Sequence, residues 1–347
     1  MWERVRELLA LDLAKVDLRR GALGLVAVVL AIIFIAAFGT VGMAAGLAAL
    51  FAFAADAPGP TGDRVRGVLI MSVVGAAIAY VAVWAGVEHV WVAALLTFGI
   101  TVVATLAAGY GHAAAIRGLL LSLWAVIALS FAGGDEPALE FSAAYLLGGV
   151  AAAAIMLVKT RLPGDVGGAD AAAPPQSAPR ALAEIVRSKL GVFALVRAVA
   201  VGLATVLGIE FFPDHPIWPA LTVLIVLRAQ PGEAFSIGAL RTLGTLAGVL
   251  AAEAVISVAN GASSVVVAAF LAAAFLMLAL QKVNYAVFAL FLTMVLVLSQ
   301  ELLGDDADAA ASDRFLATLL GSAIAFLGIG IGLWTVRRHG AGPSPSS

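Results

Sequence analysis

Four cations define the chemistry this sequence could perform. Arg197, Arg228, Arg241 and Lys282 lie in or beside apolar stretches, where an ionised side chain is costly and invites a functional question. A guanidinium there has two outlets: it can snorkel to the headgroups, or face a bundle interior and grip a carboxylate with paired hydrogen bonds. Arg197 leaves both open. Arg228 and Arg241 bracket one turn. With Lys282 and Arg117 they could line the entrance to an anion path and raise the local anion concentration, although charge topology alone also explains them. Glu253 lies about 18 Å from Arg241 along a helix axis at 1.5 Å per residue. It is either an acid in a wet vestibule or a proton-coupling carboxyl. His112 is a second candidate proton carrier, set against the commoner role of a hydrogen-bonded structural histidine. Trp218 could anchor at an interface or stack on an aromatic substrate. Gly244 and Gly248, like Gly42 and Gly46, are spaced four apart, which lets helices approach closely in lipid.

Other chemistries lack their residues. There is no cysteine, hence neither disulfide nor thiolate metal site, and the scattered histidines make no metal cluster. Gly328-Ile329-Gly330-Ile331-Gly332 lies inside an apolar run with no preceding strand, so it is not a nucleotide fingerprint. With no P-loop, nucleophile elbow or paired intramembrane carboxylates, the expectation is a non-enzyme without cofactor or metal.

These residues must be positioned by membrane helices. Of 347 residues, 63% are apolar and only 12% charged, with mean hydropathy +1.07; soluble domains run near 45–50% apolar and about 25% charged. Lipid must therefore solvate most of the chain, which excludes a cytosolic enzyme, a secreted disulfide scaffold and a nucleic-acid binder. Spans of about 20 residues are expected near 21–38, 40–55, 67–86, 90–110, 116–132 and 139–158, then 191–211, 216–229, 241–258, 262–280, 284–302 and 314–334. Gly39-Thr40 implies a tight hairpin, and Pro213, Pro216 and Pro219 mark a turn.

Charge placement orients them. With the N-terminus in the cytoplasm, the inner loops collect nearly every Lys and Arg, while the outer side receives only Arg314 among the basic residues and carries acidic clusters such as 305–308. A multi-pass protein of the inner membrane with both termini cytoplasmic is expected.

The chain divides into an interfacial amphipathic helix (1–20), a first six-helix block (21–160), a cytoplasmic linker (161–190) rich in proline, a second six-helix block (191–336) and a cytoplasmic tail (337–347). A shift of about 172–175 residues aligns Phe38 with Phe212, Arg66 with Arg241, His112 with Asn284 and Gly149 with Gly321. The fold expected is an all-α polytopic membrane protein of about twelve transmembrane helices in two parallel six-helix repeats, a plan that places the substrate path between the halves.

The second block carries Phe212-Pro213-Asp214-His215-Pro216-Ile217-Trp218-Pro219-Ala220-Leu221-Thr222, then Gln230-Pro231-Gly232, then Arg241-Thr242-Leu243-Gly244-Thr245-Leu246-Ala247-Gly248. This series resembles the fusaric-acid-resistance group, also called the aromatic acid exporter family or the integral membrane bound transporter domain. Arg197 matches the arginine those proteins often carry in the preceding span. The resemblance is specific over about 191–260 and architectural over the first half. It implies an inner-membrane transporter exporting aromatic or other organic acids, with the proton gradient as the expected drive. An organic-anion channel and a non-transport scaffold are the alternatives. The expected partners are a small organic anion and the bilayer, with a homodimer as a candidate assembly. Many family members carry large cytoplasmic domains after each membrane block, and this chain has only a short linker and tail.

Overall fold

The structure is a computed structural model, and it describes residues 11–55, 60–85, 89–131, 137–159, 181–227, 231–303 and 307–340. The described residues contain thirteen α-helices and no strand. In the first block these are α1 (Leu18–Phe38), α2 (Val41–Ala54), α3 (Thr61–Ala85), α4 (Val90–Leu106), α5 (His112–Leu129) and α6 (Ala138–Lys159). A six-residue helix α7 (Leu182–Arg187) leads into the second block of α8 (Lys189–Phe211), α9 (Trp218–Val226), α10 (Pro231–Ala259), α11 (Ser263–Ala279), α12 (Tyr285–Leu303) and α13 (Ala307–Gly340). A helix stands at each stretch expected to span.

Six of these helices are long and apolar enough to cross a bilayer, with spanning segments at Thr61–Ala85, Val90–Tyr110, Ala138–Val158, Lys189–Phe211, Gly238–Ala259 and Ser312–Ile331. Among the shorter ones α9 has nine residues, roughly 14 Å at 1.5 Å per residue, about half of a hydrocarbon core. The proline-rich turn consumes the start of the segment expected over 216–229: residues 212–217 are non-helical, and Pro219 opens the helix within its first turn, where a missing N–H costs nothing. The molecule is therefore a polytopic helical membrane protein.

Its packing suits lipid. Alanine, glycine, serine and threonine fill the buried seams, while Val258, Trp84, Trp91, Leu95 and Val103 stand outward. Without a hydrophobic drive between helices in a bilayer, close backbone approach supplies the contact. Gly244 lies against Ala286 and Ala289 along the α10–α12 seam. At Gly248 an added Cβ would fall 2.5 Å from the Leu290 carbonyl oxygen. The expected hairpin at Gly39 is present, with φ +62° in the left-handed region.

The same ordinal helices pair within each block. In the first, α1 packs on α2, α2 and α3 on α6, and α5 on α3 and α4; in the second, α8 packs on α9, α9 and α10 on α13, and α12 on α10 and α11. Between blocks the exchange is reciprocal, with α4 on α8 and α11 on α1. Thr97 and Thr205 hydrogen-bond across the first seam at 3.2 Å; Gly21 and Gly24 meet Phe275 and Leu278 across the second.

Residues 1–10 of the expected interfacial helix, residues 161–180 of the expected linker and residues 341–347 of the expected tail lie outside the described residues. Residues 11–17 carry one 3-10 turn, Leu13–Lys15. Asp17 N–H donates to the Ala279 carbonyl at 2.9 Å, docking this segment on the end of α11.

Candidate functional site

Arg197 sits two turns into α8 and is 8% exposed. Its Nη2 donates to the Leu224 carbonyl at 2.6 Å and its Nη1 to Thr105 Oγ1 at 3.4 Å. Leu224 is in the last turn of α9, whose terminal carbonyls have no partner within the helix. A cation there also complements the negative end of the helix dipole. The guanidinium thus closes the end of a half-length helix and ties it to α4 of the first block.

Arg241, early in α10, faces the bundle interior. It is 1% exposed, and its Nη1 reaches the Tyr285 hydroxyl on α12 at 3.4 Å. Its Nε and Nη2 are buried and meet no hydrogen-bond acceptor among the described residues. Such an arrangement is expensive for a charged group unless something anionic completes it.

Arg314 was not singled out by sequence reasoning beyond being the lone basic residue of an otherwise acidic face. That exception was the available signal. It lies in the second turn of α13 and points inward, 2% exposed, with Nε and Nη1 likewise lacking a partner among the described residues. Its Cζ stands 5.1 Å from the Trp218 ring centroid, a cation–π distance. Arg241 and Tyr285 lie within electrostatic reach of it. Gly238 faces the Phe326 ring across the seam where α10 and α13 pack directly against each other.

Trp218 is 6% exposed and already engaged. Its ring stacks on His215 at 3.9 Å between centroids, and His215 Nδ1 contacts Asp313 Oδ2 at 3.1 Å. The indole therefore forms a wall of the site rather than an open interfacial anchor. Lys282 is exposed at the turn before α12, one turn before Tyr285. Arg117 packs on Gly67 in the first block, so it stands apart from the Arg241 cluster. Glu253 is half-buried in α10. Arg228 and the side chain of His112 lie outside the described residues. Gly244 and Gly248 set the distance between α10 and α12, and so carry Arg241 to Tyr285.

Residues 192–328 match the protein family described as fusaric acid resistance protein-like. The likeness falls within the second block and covers less than half of the chain. No curated protein and no solved structure matches the chain. The matched segment contains Arg197, Trp218, Arg241, Tyr285 and Arg314 together. This likeness and the apolar helices together suggest a membrane protein of transporter type.

Proposed function

We propose that the chain is a secondary transporter of the bacterial inner membrane that exports aromatic or other organic acids, driven by the proton gradient. The observation that carries this is Arg241, a guanidinium wholly inside the bundle with two nitrogens unsatisfied among the described residues. A structural cation is ordinarily paired or snorkelled; one held inside and incomplete is suited to an anion that comes and goes. The family match supports the same assignment. Twelve crossings with both termini cytoplasmic agree with the segregation of basic residues. The identical ordinal pairing of helices in the two blocks supports a duplicated, parallel six-helix unit. Glu253, half-buried on the same helix as Arg241, is the proposed proton-coupling carboxyl.

The test is counterflow in proteoliposomes with a panel of aromatic carboxylates, with and without an imposed pH gradient. Saturable exchange that a proton gradient drives uphill is expected from the wild type, and Arg241→Gln should weaken it while the protein remains folded. Unchanged transport by that variant removes Arg241 from the path.

A further inference from the structure

We propose that Arg241 and Arg314 form one buried binding site for a small organic dianion, with the Tyr285 hydroxyl as a further donor and the Trp218 indole as a wall. The site deepens the transport proposal and rests on it for the role of Arg241. What is added is the second guanidinium and the charge of the ligand.

Both side chains are almost entirely out of solvent, on helices that pack directly against each other. Each leaves two buried nitrogens without an acceptor among the described residues. Arginine stays protonated in proteins, so two positive charges are held out of water on two helices in direct contact. Asp313, adjacent to Arg314 in the chain, is held by His215. A single carboxylate would leave one charge uncompensated, which is costly in a low-dielectric interior. Two carboxylates on one small molecule neutralise both, and each can take a planar fork of N–H donors.

The first block supplies a contrast. Between its corresponding helices α3, α5 and α6, the Trp124 ring stacks on Tyr145 at 4.3 Å and Trp124 Nε1 donates to the Gly75 carbonyl at 2.8 Å. That seam is closed by neutral aromatic rings. Arg117, on Gly67, lies about 12 Å further along α3. The first block has cations of its own, Arg64 buried at 7% exposure and Arg117 with a buried Nε, but sets them apart from this aromatic stack.

The experiment uses the full chain purified in detergent, with thermal unfolding followed against added succinate or butyrate, four-carbon acids that differ by one carboxylate. Succinate should raise the melting temperature at a concentration about tenfold lower than butyrate, the worth of one charged hydrogen bond. Arg314→Gln and Arg241→Gln should each erase that preference. Arg314→Lys, which keeps the charge without the fork, should retain part of it. Equal effects of the two acids on the wild type, or a full succinate preference in Arg314→Gln, would overturn the dianion site. The two proposals fail separately. Aromatic monocarboxylate counterflow without succinate preference leaves transport standing and removes the dianion site; succinate preference without counterflow does the reverse.

Discussion

Replacing Arg314 by methionine should make the ligand-free protein more stable while impairing its use of anions. Three effects compete. Relief of repulsion from Arg241, which acts on Arg314, contributes on the order of 1–2 kcal/mol at an effective dielectric of about 20. Loss of the guanidinium from the Trp218 ring, now at 5.1 Å, costs about 1–2 kcal/mol, so these two nearly cancel. Desolvation decides the sign. Arg314 is buried with Nε and Nη1 unsatisfied among the described residues, and the penalty for an ion so placed is several kcal/mol. Methionine fills much of the arginine stem's volume without polar atoms. A net gain of at least about 1 kcal/mol is expected, or about 2 °C in melting temperature for a chain of this size. Differential scanning fluorimetry of wild type and Arg314→Met in detergent, in a buffer poor in small anions, reads this directly. A lower melting temperature for the variant would mean that the guanidinium is satisfied in the resting protein, and the vacant-cation argument would fall.

Further outcomes can be checked with the same preparations. Gly248→Leu should destabilise the fold by about 1–3 kcal/mol, because even its Cβ meets the Leu290 carbonyl oxygen at 2.5 Å; an unchanged melting temperature would show that the α10–α12 seam yields freely. Trp124→Phe should cost about 1 kcal/mol through its lost bond to the Gly75 carbonyl yet leave transport per folded molecule intact, as initial rates normalised to protein would reveal. Glu253→Gln should flatten the pH dependence of uptake, and a wild-type profile would exclude it as the proton carrier. Arg197→Met should lower stability by about 1–3 kcal/mol, since it strips the cap from the Leu224 carbonyl; a melting curve like wild type would refute that role.

The helices were legible in the sequence because apolar runs bounded by charge, Pro and Gly map directly onto segments such as Val90–Leu106 and Lys189–Phe211. The half-length of α9 was harder to see. Pro213 and Pro216 announce a turn, but how much of the following apolar run the turn consumes depends on tertiary packing. The inward aim of Arg241 was visible as one of two alternatives, since residue type and depth do not say which way a long side chain leans. Arg314 was passed over for a related reason. Near a helix end it reads as an interfacial cation, and only the antiparallel setting of α10 and α13 brings it toward Arg241. For Arg197, family likeness pointed to chemistry, while its bond to Leu224 is one a sequence pattern does not encode.

The Trp124–Tyr145 stack of one block and the buried arginines Arg241 and Arg314 of the other should fail in different ways. Damage within Gly75, Trp124 or Tyr145 should show up as less protein in the membrane, with every surviving copy handling the same range of acids. Damage within Arg241, Tyr285 or Arg314 should leave abundance alone and change which acids a cell tolerates. Resistance screens that score yield and selectivity separately would thus sort mutations at the aromatic stack from mutations at the buried arginines.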